Sequence, residues 1–377
     1  MIKMTRIMKM IVRNKENLGE GRNKVFIFVP ILVLVAILIA YFYGWNIGAY
    51  LHPDRTAYSM SELTAMVNDD IDSGKEKGTF YISGISSEDI ASINDYVCSV
   101  NGDVEQYSVL EKGRNGMKVS FRYEISDNFY VMDKYLNGKE IPADRPSARQ
   151  LYDKVVEIVN QIITPDMTDY EKELAIHDYI VLNCKYGYVD YSKEYAYSAY
   201  GCLVQNTAVC NGYAEAMAIL LSCEGIENQI ICGTAGDELH AWNQVKINNQ
   251  WYHVDATWND PVPDMVGVVT HAYFNVPDDI LSDTHTWDKE MYETCTSMDG
   301  NYYVYNNLDG YYDDFINIVR QAAAKDITAT VETLVYDYSS SYNLDAIFDI
   351  SGITHLWYTE LKYGDGHILT IYLNQSQ

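Results

Sequence analysis

Two alternating segments, 241–247 and 251–257, flank the dipeptide Asn248-Asn249 and constrain the fold more than any other feature of the sequence. Alternation of polar and apolar residues is typical of half-buried strands. A two-residue asparagine turn between such strands predicts an antiparallel hairpin. In that hairpin Ile247 pairs with Gln250, and this register fixes every other pair.

One face of the predicted hairpin carries ionisable side chains. Because side chains alternate, His240, Trp242 and Asp255 share that face. The register makes His240 and Asp255 diagonal neighbours with Cβ atoms about 7–8 Å apart, so an imidazole and a carboxylate can meet. The opposite face is mostly apolar and is predicted to pack inward; it comprises Ala241, Val245, Ile247, Tyr252, Val254, Ala256 and Trp258.

Upstream of the hairpin, a cysteine begins a predicted helix. From residue 209 apolar residues recur at helical spacing until Gly225, a helix stop signal. Cys210 therefore lies at a helix N-terminus, where free N–H groups and a partial positive charge favour the thiolate. Gly212 lacks a side chain close to the sulfur, which predicts room for a substrate backbone. A buried structural thiol is the alternative interpretation.

These residues suit a thiol enzyme. A cysteine nucleophile needs a nearby base, and the base needs a third group that holds it in one tautomer. Cys210, His240 and Asp255 fit these roles in that order. His253 is a rival base, but the sequence places no acidic partner beside it as directly.

A metal site is the second chemistry that these residue types allow. Cys210, His240, His253 and Cys232 could supply zinc ligands, but they lack the paired short spacing of structural zinc sites. We therefore expect neither a metal nor another cofactor.

The sequence resembles the transglutaminase-like superfamily. The blocks GYAEAMAILLSCEGIE and HAWNQVKINNQWYHVDATWNDP are similar to its core, and DYEKELAIHDYIVLNCKYGY and YFNVPDDILSDTHTW to the flanking segments of bacterial members. The resemblance covers about residues 165–290. It implies an α+β, papain-like fold in which a helix bearing the cysteine packs on an antiparallel sheet bearing histidine and aspartate. It also implies that Cys210, His240 and Asp255 are catalytic.

The oxyanion donor is left open. Animal transglutaminases use a tryptophan upstream of the cysteine and papain-like proteases a glutamine, but here no tryptophan lies between Trp45 and Cys210. Gln205, Tyr200 and the backbone N–H of Cys210 are the candidates. Trp242 and Trp258 are expected to flank the site.

The missing tryptophan argues against crosslinking of the animal type. We expect a cysteine peptidase or amidase that acts on protein or peptide substrates, with protein transamidation as the other fate of the thioester. A catalytically inactive surface-binding module is the alternative from another class.

The N-terminus predicts a membrane anchor. A basic segment, 1–24, precedes an uncharged apolar run, 25–43, whose length is close to the ~20 residues that span a bilayer. The positive-inside rule keeps the basic segment in the cytoplasm and places the catalytic domain outside the cell, as a single-pass membrane protein. A cleaved signal peptide is the alternative.

Charge and cysteine content restrict partners and bonding. The net charge of −26 argues against a nucleic-acid ligand, because phosphate contacts need clustered Lys and Arg. The 7 cysteines leave at least one unpaired, which we expect to be Cys210; the other six allow three disulfides or none.

Six segments are predicted along the chain: cytoplasmic 1–24, transmembrane 25–43, linker and short helix 44–78, a small α+β module 79–145, the catalytic domain 146–290, and a Tyr-rich α+β segment 291–377. Predicted helices cover 61–71, 86–99, 147–163, 168–184, 209–224 and 312–324. Predicted strands cover 79–82, 104–110, 117–125, 229–232, 241–247, 251–257 and 271–276. The tail, 329–373, is predicted to contain a strand, a helix and a final hairpin, an order similar to that at 79–125, which suggests a shared module.

Overall fold

A computed structural model describes residues 52–97, 101–113, 116–187, 194–261, 267–339 and 342–375. The predicted membrane span at 25–43 and Cys98 lie outside these ranges. Within them, no helix is both long and apolar enough to cross a bilayer. The chain forms two compact units: one contains residues up to Leu63 with 79–90 and 107–121, and the other contains the remainder.

The N-terminal elements build a four-stranded sheet. They are β1 (Thr56–Ala57), α1 (Met60–Asp72), β2 (Lys77–Ile82), α2 (Ser87–Ala91), α3 (Ile93–Tyr96), β3 (Gly102–Gly113) and β4 (Gly116–Ile125). The strand order is β1-β2-β4-β3, with β1 parallel to β2. The helix predicted over 86–99 is instead two short helices, because the backbone of Ser92 leaves the helical region (φ −94°, ψ 20°).

Five helices precede the central sheet: α4 (Asp127–Asn137), α5 (Pro146–Ile162), α6 (Asp169–Asn183), α7 (Ala199–Leu203) and α8 (Cys210–Cys223). A 3₁₀ helix (Glu194–Tyr197) and the short parallel strands β5 (Lys185–Tyr186) and β6 (Thr207–Ala208) lie between them. Thr168 and Glu171 form a capping box at α6. Helix α8 is apolar on all sides and buried, and it ends before Gly225, which has a φ of +73°.

The central sheet contains β7 (Asn228–Ala235), β8 (Glu238–Ile247), β9 (Gln250–Val254) and β10 (His285–Trp287), in the antiparallel order β10-β7-β8-β9. The predicted hairpin register is confirmed, since Ile247 pairs with Gln250 and Asn243 with Val254. Asn248 and Asn249 take left-handed φ values of 50° and 64°, as a tight hairpin turn requires.

The predicted inward face of the hairpin packs against α8. Val245, Ile247, Tyr252 and Val254 lie in one buried cluster with residues of that helix. Trp258 differs from the prediction: it is 37% exposed. Strand β9 is also shorter than predicted, because the chain turns after Val254 rather than continuing to residue 257.

The strand predicted over 271–276 is wrong. Only Val276 forms a bridge, to His253, and the preceding residues form a turn closed by the Phe274 N–H and the His271 carbonyl. Asn275 has a φ of 55°, so the chain cannot stay extended there.

The C-terminal elements repeat the architecture of the N-terminal sheet. After the short helices α9 (Asp278–Leu281) and α10 (Tyr302–Tyr305) come β11 (Asp309–Gly310), α11 (Tyr312–Lys325), β12 (Thr330–Val335), a 3₁₀ helix (Leu344–Asp349), β13 (Leu356–Tyr363) and β14 (Gly366–Leu373). The order β11-β12-β14-β13, with β11 parallel to β12, matches that of the first sheet. The prediction that the two ends share a module is thereby confirmed at the level of strand order.

This C-terminal sheet covers one face of the central sheet. Leu334, Tyr363 and Ile368 lie in a buried cluster with Ile231 and Trp242. Both faces of the central sheet are therefore buried, one by α8 and the other by the C-terminal module.

Candidate active site

Cys210 is the first residue of α8, as predicted, and its thiol is free and partly exposed. The preceding residue, Val209, has no side chain that can cap the helix. Backbone N–H groups therefore lack a side-chain cap at the helix N-terminus, where the sulfur lies. The Asn211 amide donates to the Tyr197 carbonyl and to the Glu215 carboxylate at 3.0 Å, which fixes the first turn.

Gly212 serves packing rather than substrate approach. A Cβ at this position would lie 2.7 Å from the Ala196 carbonyl oxygen and 2.9 Å from that of Ser198. The backbone of the segment 196–198 already fills the space that the sequence suggested for a substrate. The glycine is required because that segment packs directly on the start of α8.

His240 and Asp255 form a buried pair. His240 Nε2 lies 2.7 Å from Asp255 Oδ2, and the two side chains are 7% and 1% exposed. Asp255 follows β9 directly, where the chain turns back because its Oδ1 accepts the N–H groups of Thr257 (2.9 Å) and Trp258 (3.1 Å). The turn that ends β9 therefore also orients the carboxylate.

A second histidine also contacts this carboxylate. His285, at the start of β10, places Nε2 3.1 Å from Asp255 Oδ2. Its Nδ1 lies 2.8 Å from the Thr284 hydroxyl, and its side chain is fully buried. Sequence reasoning missed His285 because it lies outside the hairpin; pairing of β10 with β7 brings it there.

The electrostatics favour an ion pair. Burial by itself would raise the pKa of Asp255, but the charge of His240 and the hydrogen bonds from His240 and His285 hold it well below its usual range. Burial would lower the pKa of His240, but Asp255 and a hydrogen bond with the Cys210 side chain raise it to about 10. Since Nε2 is bound to Asp255, Nδ1 is the nitrogen left for the thiol.

The rival base His253 is engaged elsewhere. It is fully buried, its Nδ1 accepts from the Trp242 indole at 3.0 Å, and its Nε2 lies 2.9 Å from Asp278. The acidic partner that the sequence did not place beside His253 is Asp278. Burial lowers the pKa of this histidine, so it is neutral.

Two of the three candidate oxyanion donors, the side chains of Gln205 and Tyr200, have partners of their own. The Gln205 amide donates to the Tyr200 hydroxyl at 3.3 Å, and that hydroxyl donates to Gln150 at 2.8 Å.

The two predicted flanking tryptophans differ in exposure. Trp242 is buried with its ring 5.9 Å from that of His240, whereas Trp258 lies at the surface with its ring 6.2 Å away.

Three groups of described side chains bring potential metal ligands within 4.8 Å of one another: His177–Asp178–His271, His240–Asp255–His285 and His253–Asp278–Cys295. In the last group, the Trp242 indole donates to His253 Nδ1, so Nε2 holds a proton directed at Asp278. Of the zinc ligands considered from the sequence, Cys232 is disulfide-bonded, and His240 and His253 fall in different groups among these three.

A second buried network supports the loop that carries Asp255. Asn259, whose N–H donates to the Asp255 carbonyl, accepts the Tyr273 N–H through Oδ1 at 2.9 Å. Its amide N–H group then faces His177 Nε2 at 2.9 Å, so the His177 proton is on Nδ1, 2.9 Å from Asp178. Both ring nitrogens of His177 are therefore used to hold this loop.

The same network reaches the C-terminal module. Asp178 lies 3.1 Å from His271 Nε2, and His271 Nδ1 lies 2.8 Å from Glu332 on β12. Burial opposes a charge on His271, but these two carboxylates raise its pKa to about 9. Its ring stacks on Tyr302 at 3.7 Å. The C-terminal strand is thus tied to the helix α6 by an imidazolium between two carboxylates.

Comparison with known proteins places these residues in a family. The profile of the Transglutaminase-like superfamily matches residues 156–256. A crystal structure of a TGase shares 13% identity at a TM-score of 0.27, covering 48% of this chain and 51% of that chain. No curated protein matches the sequence.

Two further solved structures are similar in part. A proposed cysteine protease from Cytophaga hutchinsonii shares 15% identity at a TM-score of 0.25, covering 45% of this chain and 71% of that one. A proposed protease from Parabacteroides distasonis shares 9% identity at a TM-score of 0.27, covering 79% of this chain and 66% of that one. The chain spans about half the length of the TGase and about two thirds of the Parabacteroides protein.

The matched residues 156–256 enclose α8 and the strands β7, β8 and β9, and they include Cys210, His240 and Asp255. This part of the chain belongs to the transglutaminase-like superfamily.

Proposed function

We propose that the chain is a cysteine-dependent amide-bond enzyme that acts on protein or peptide substrates through Cys210, His240 and Asp255. The observation that carries the proposal is the 2.7 Å contact of His240 with Asp255, together with the free thiol of Cys210 at the start of α8, which acts electrostatically on His240.

The reaction follows from this geometry. The thiolate of Cys210 attacks the substrate carbonyl, while Asp255 holds the imidazolium of His240 through Nε2. Collapse of the adduct breaks the C–N bond, and His240 gives its proton to the departing amine. Water then attacks the thioester, His240 takes a proton from it, and the acid leaves with the thiol restored. An amine in place of water would give transamidation.

The surroundings of the site favour a polypeptide substrate and hydrolysis. Three exposed side chains, Tyr195, Tyr197 and Trp258, border the elements that carry the proposed triad and offer apolar contact area. A cavity of about 360 Å³ begins at Leu239, beside His240, and continues along Trp287 and Met291. Cys210 is partly exposed, and a water-accessible thioester favours hydrolysis.

Membrane attachment is part of the proposal. The uncharged run at 25–43 would anchor the enzyme with residues 1–24 in the cytoplasm and the catalytic domain outside. This placement rests on the sequence alone.

Helix α8 supplies an internal control for the test, because Cys210 and Cys223 lie at its two ends and both thiols are free. Burial raises the pKa of Cys223 to about 12. With limiting iodoacetamide at pH 6, we expect Cys210 to react at least about tenfold faster than Cys223, measured by peptide mass spectrometry. A Cys210 that reacts no faster than a free cysteine, or not at all, would favour a silent binding module.

Turnover requires a second assay. A mixture of fluorogenic peptide amides, with and without a dansylated amine, reports hydrolysis and transamidation on the same enzyme. We expect a thioester on Cys210 that hydroxylamine releases, and no turnover by Cys210→Ala. Cys223→Ser is the matched control and should keep full activity. Full turnover by Cys210→Ala would refute the mechanism.

A further inference from the structure

The Asp255 carboxylate is saturated with donors. Oδ1 accepts two backbone N–H groups, from Thr257 and Trp258, and Oδ2 accepts two imidazoles, His240 at 2.7 Å and His285 at 3.1 Å. A carboxylate offers about four such sites, so none remains. The second imidazole on Oδ2 has no place in the proposed reaction.

The protonation of His285 is set by its neighbours. Asp255 is ionised and only accepts, so the Nε2 that faces it carries a proton. The Thr284 hydroxyl, 2.8 Å away, can donate to Nδ1 and hold this tautomer. His285 therefore competes with His240 for the same oxygen.

We propose that His285 is a positioning residue that limits the basicity of His240 by sharing Oδ2 of Asp255. This inference rests on the proposed function. A hydrogen bond to an anion is stronger when no cation already neutralises that anion. The bond from His285 therefore stabilises the state with neutral His240 more than the state with the imidazolium.

Such a limit matters for the leaving group. His240 must release its proton to the departing amine, and a general acid works best with a pKa near the working pH. Asp255 alone would hold the proton too tightly. Because His285 also donates a hydrogen bond to Oδ2, the proton on His240 stays available for transfer.

The groups that face this pair are few. His240 faces Asp255, Cys210 and His285. Around His285 lie Asp255, His240, Tyr273 and His253, the last bound to Asp278. The rings of Trp258 and Trp242 lie 4.6 and 5.0 Å from that of His285 and exclude water, so the hydrogen bonds act in a low-dielectric setting.

The experiment measures the pKa of His240 by side-chain NMR titration in wild type, His285→Phe and His285→Gln. We expect His285→Phe to raise this pKa by about one unit and to slow amide turnover about tenfold. His285→Gln, whose amide N–H can replace Nε2–H, should restore both. His253→Gln is the matched control, because His253 is equally buried and bound to a carboxylate but does not contact Asp255.

Two results would overturn the inference: a His240 pKa that is unchanged or lower in a folded His285→Phe variant, or an equal rise in His253→Gln. If His285→Phe does not fold, Thr284→Val is measured instead. This variant removes the hydroxyl that contacts His285 Nδ1 and keeps the imidazole. An unchanged pKa of His240 in Thr284→Val would also overturn the inference. Absence of amide turnover in wild type would refute the proposed function and leave the titration informative.

Discussion

The orientation of Asp255 makes Asp255→Asn the most informative substitution. The two backbone N–H groups of Thr257 and Trp258 need an acceptor, so the asparagine oxygen must take the place of Oδ1. Its NH₂ group then faces Nε2 of His240, where an N–H would meet an N–H. His240 can respond only by moving its proton to Nδ1, the nitrogen that must accept from Cys210.

The size of the effect follows from the same contacts. A pKa of about 10 against the usual 6.5 corresponds to roughly 5 kcal/mol of stabilisation of the imidazolium, at about 1.36 kcal/mol per unit. Asp255→Asn removes the main source of it. We expect amide turnover to fall by about 10³- to 10⁴-fold. Alkylation of Cys210 at pH 7 should fall only about 30-fold, because a free thiol still has a few per cent of thiolate.

The control is the second buried pair, His253 with Asp278, whose separation is 2.9 Å. Asp278→Asn should lower the melting temperature as much as Asp255→Asn does, while turnover stays within about threefold of wild type. The reasoning would be refuted by a folded Asp255→Asn variant with turnover within tenfold of wild type. It would fail equally if Asp278→Asn lost as much activity.

Three further predictions concern stability, register and topology. In the folded state the pKa is raised to about 8 for Glu173 and Glu215, to about 9 for His271 and to about 10 for His240. Because the folded state holds these protons more tightly than the unfolded state, the four groups stabilise the fold at low pH. That stabilisation is lost as the pH rises through the folded-state values. The urea midpoint should therefore fall from pH 5 to pH 10, with a shallower slope below pH 8 in Glu173→Gln; a midpoint that rises with pH would contradict this. One residue inserted between Asn248 and Asn249 should slow Cys210 alkylation far more than it lowers the melting temperature. Insertion of two residues should slow alkylation less. An equal loss of alkylation rate in both variants would exclude strand register as the cause. Protease added to intact cells should remove the proposed catalytic domain, and full protection of that domain would contradict the proposed topology.

The hairpin and the start of α8 were the predictable part of the site. Alternation and an asparagine turn fix a register within a few residues, and that register was enough to bring His240 to Asp255. The neighbours of this pair were less accessible to sequence reasoning. Gly212 looked like space for a substrate, yet the backbone of 196–198 fills it, because chain segments distant in sequence compete for the same volume.

The strand predicted over 271–276 failed for a local reason. Its aromatic and β-branched residues favour an extended chain, but Asn275 takes a left-handed φ and turns it. What holds that turn is tertiary: the Asn275 amide donates at 2.9 Å to Glu173 on α6. Propensity alone cannot include a partner 102 residues upstream.

The burial of both sheet faces has a consequence for where function can change. The polar face of β8 and β9 is buried: the C-terminal module covers Trp242, and contacts with the segment 278–295 cover Gln244 and His253. His240 lies near the start of β8, and its side chain keeps 7% of its surface exposed. The network from Glu332 through His271 and His177 to Asn259 then ties the cover to the turn that holds Asp255. Loss of the C-terminal strand β12 should therefore disturb the alignment of Asp255 before it disturbs α8 and its thiol, since α8 packs on the other face of the sheet.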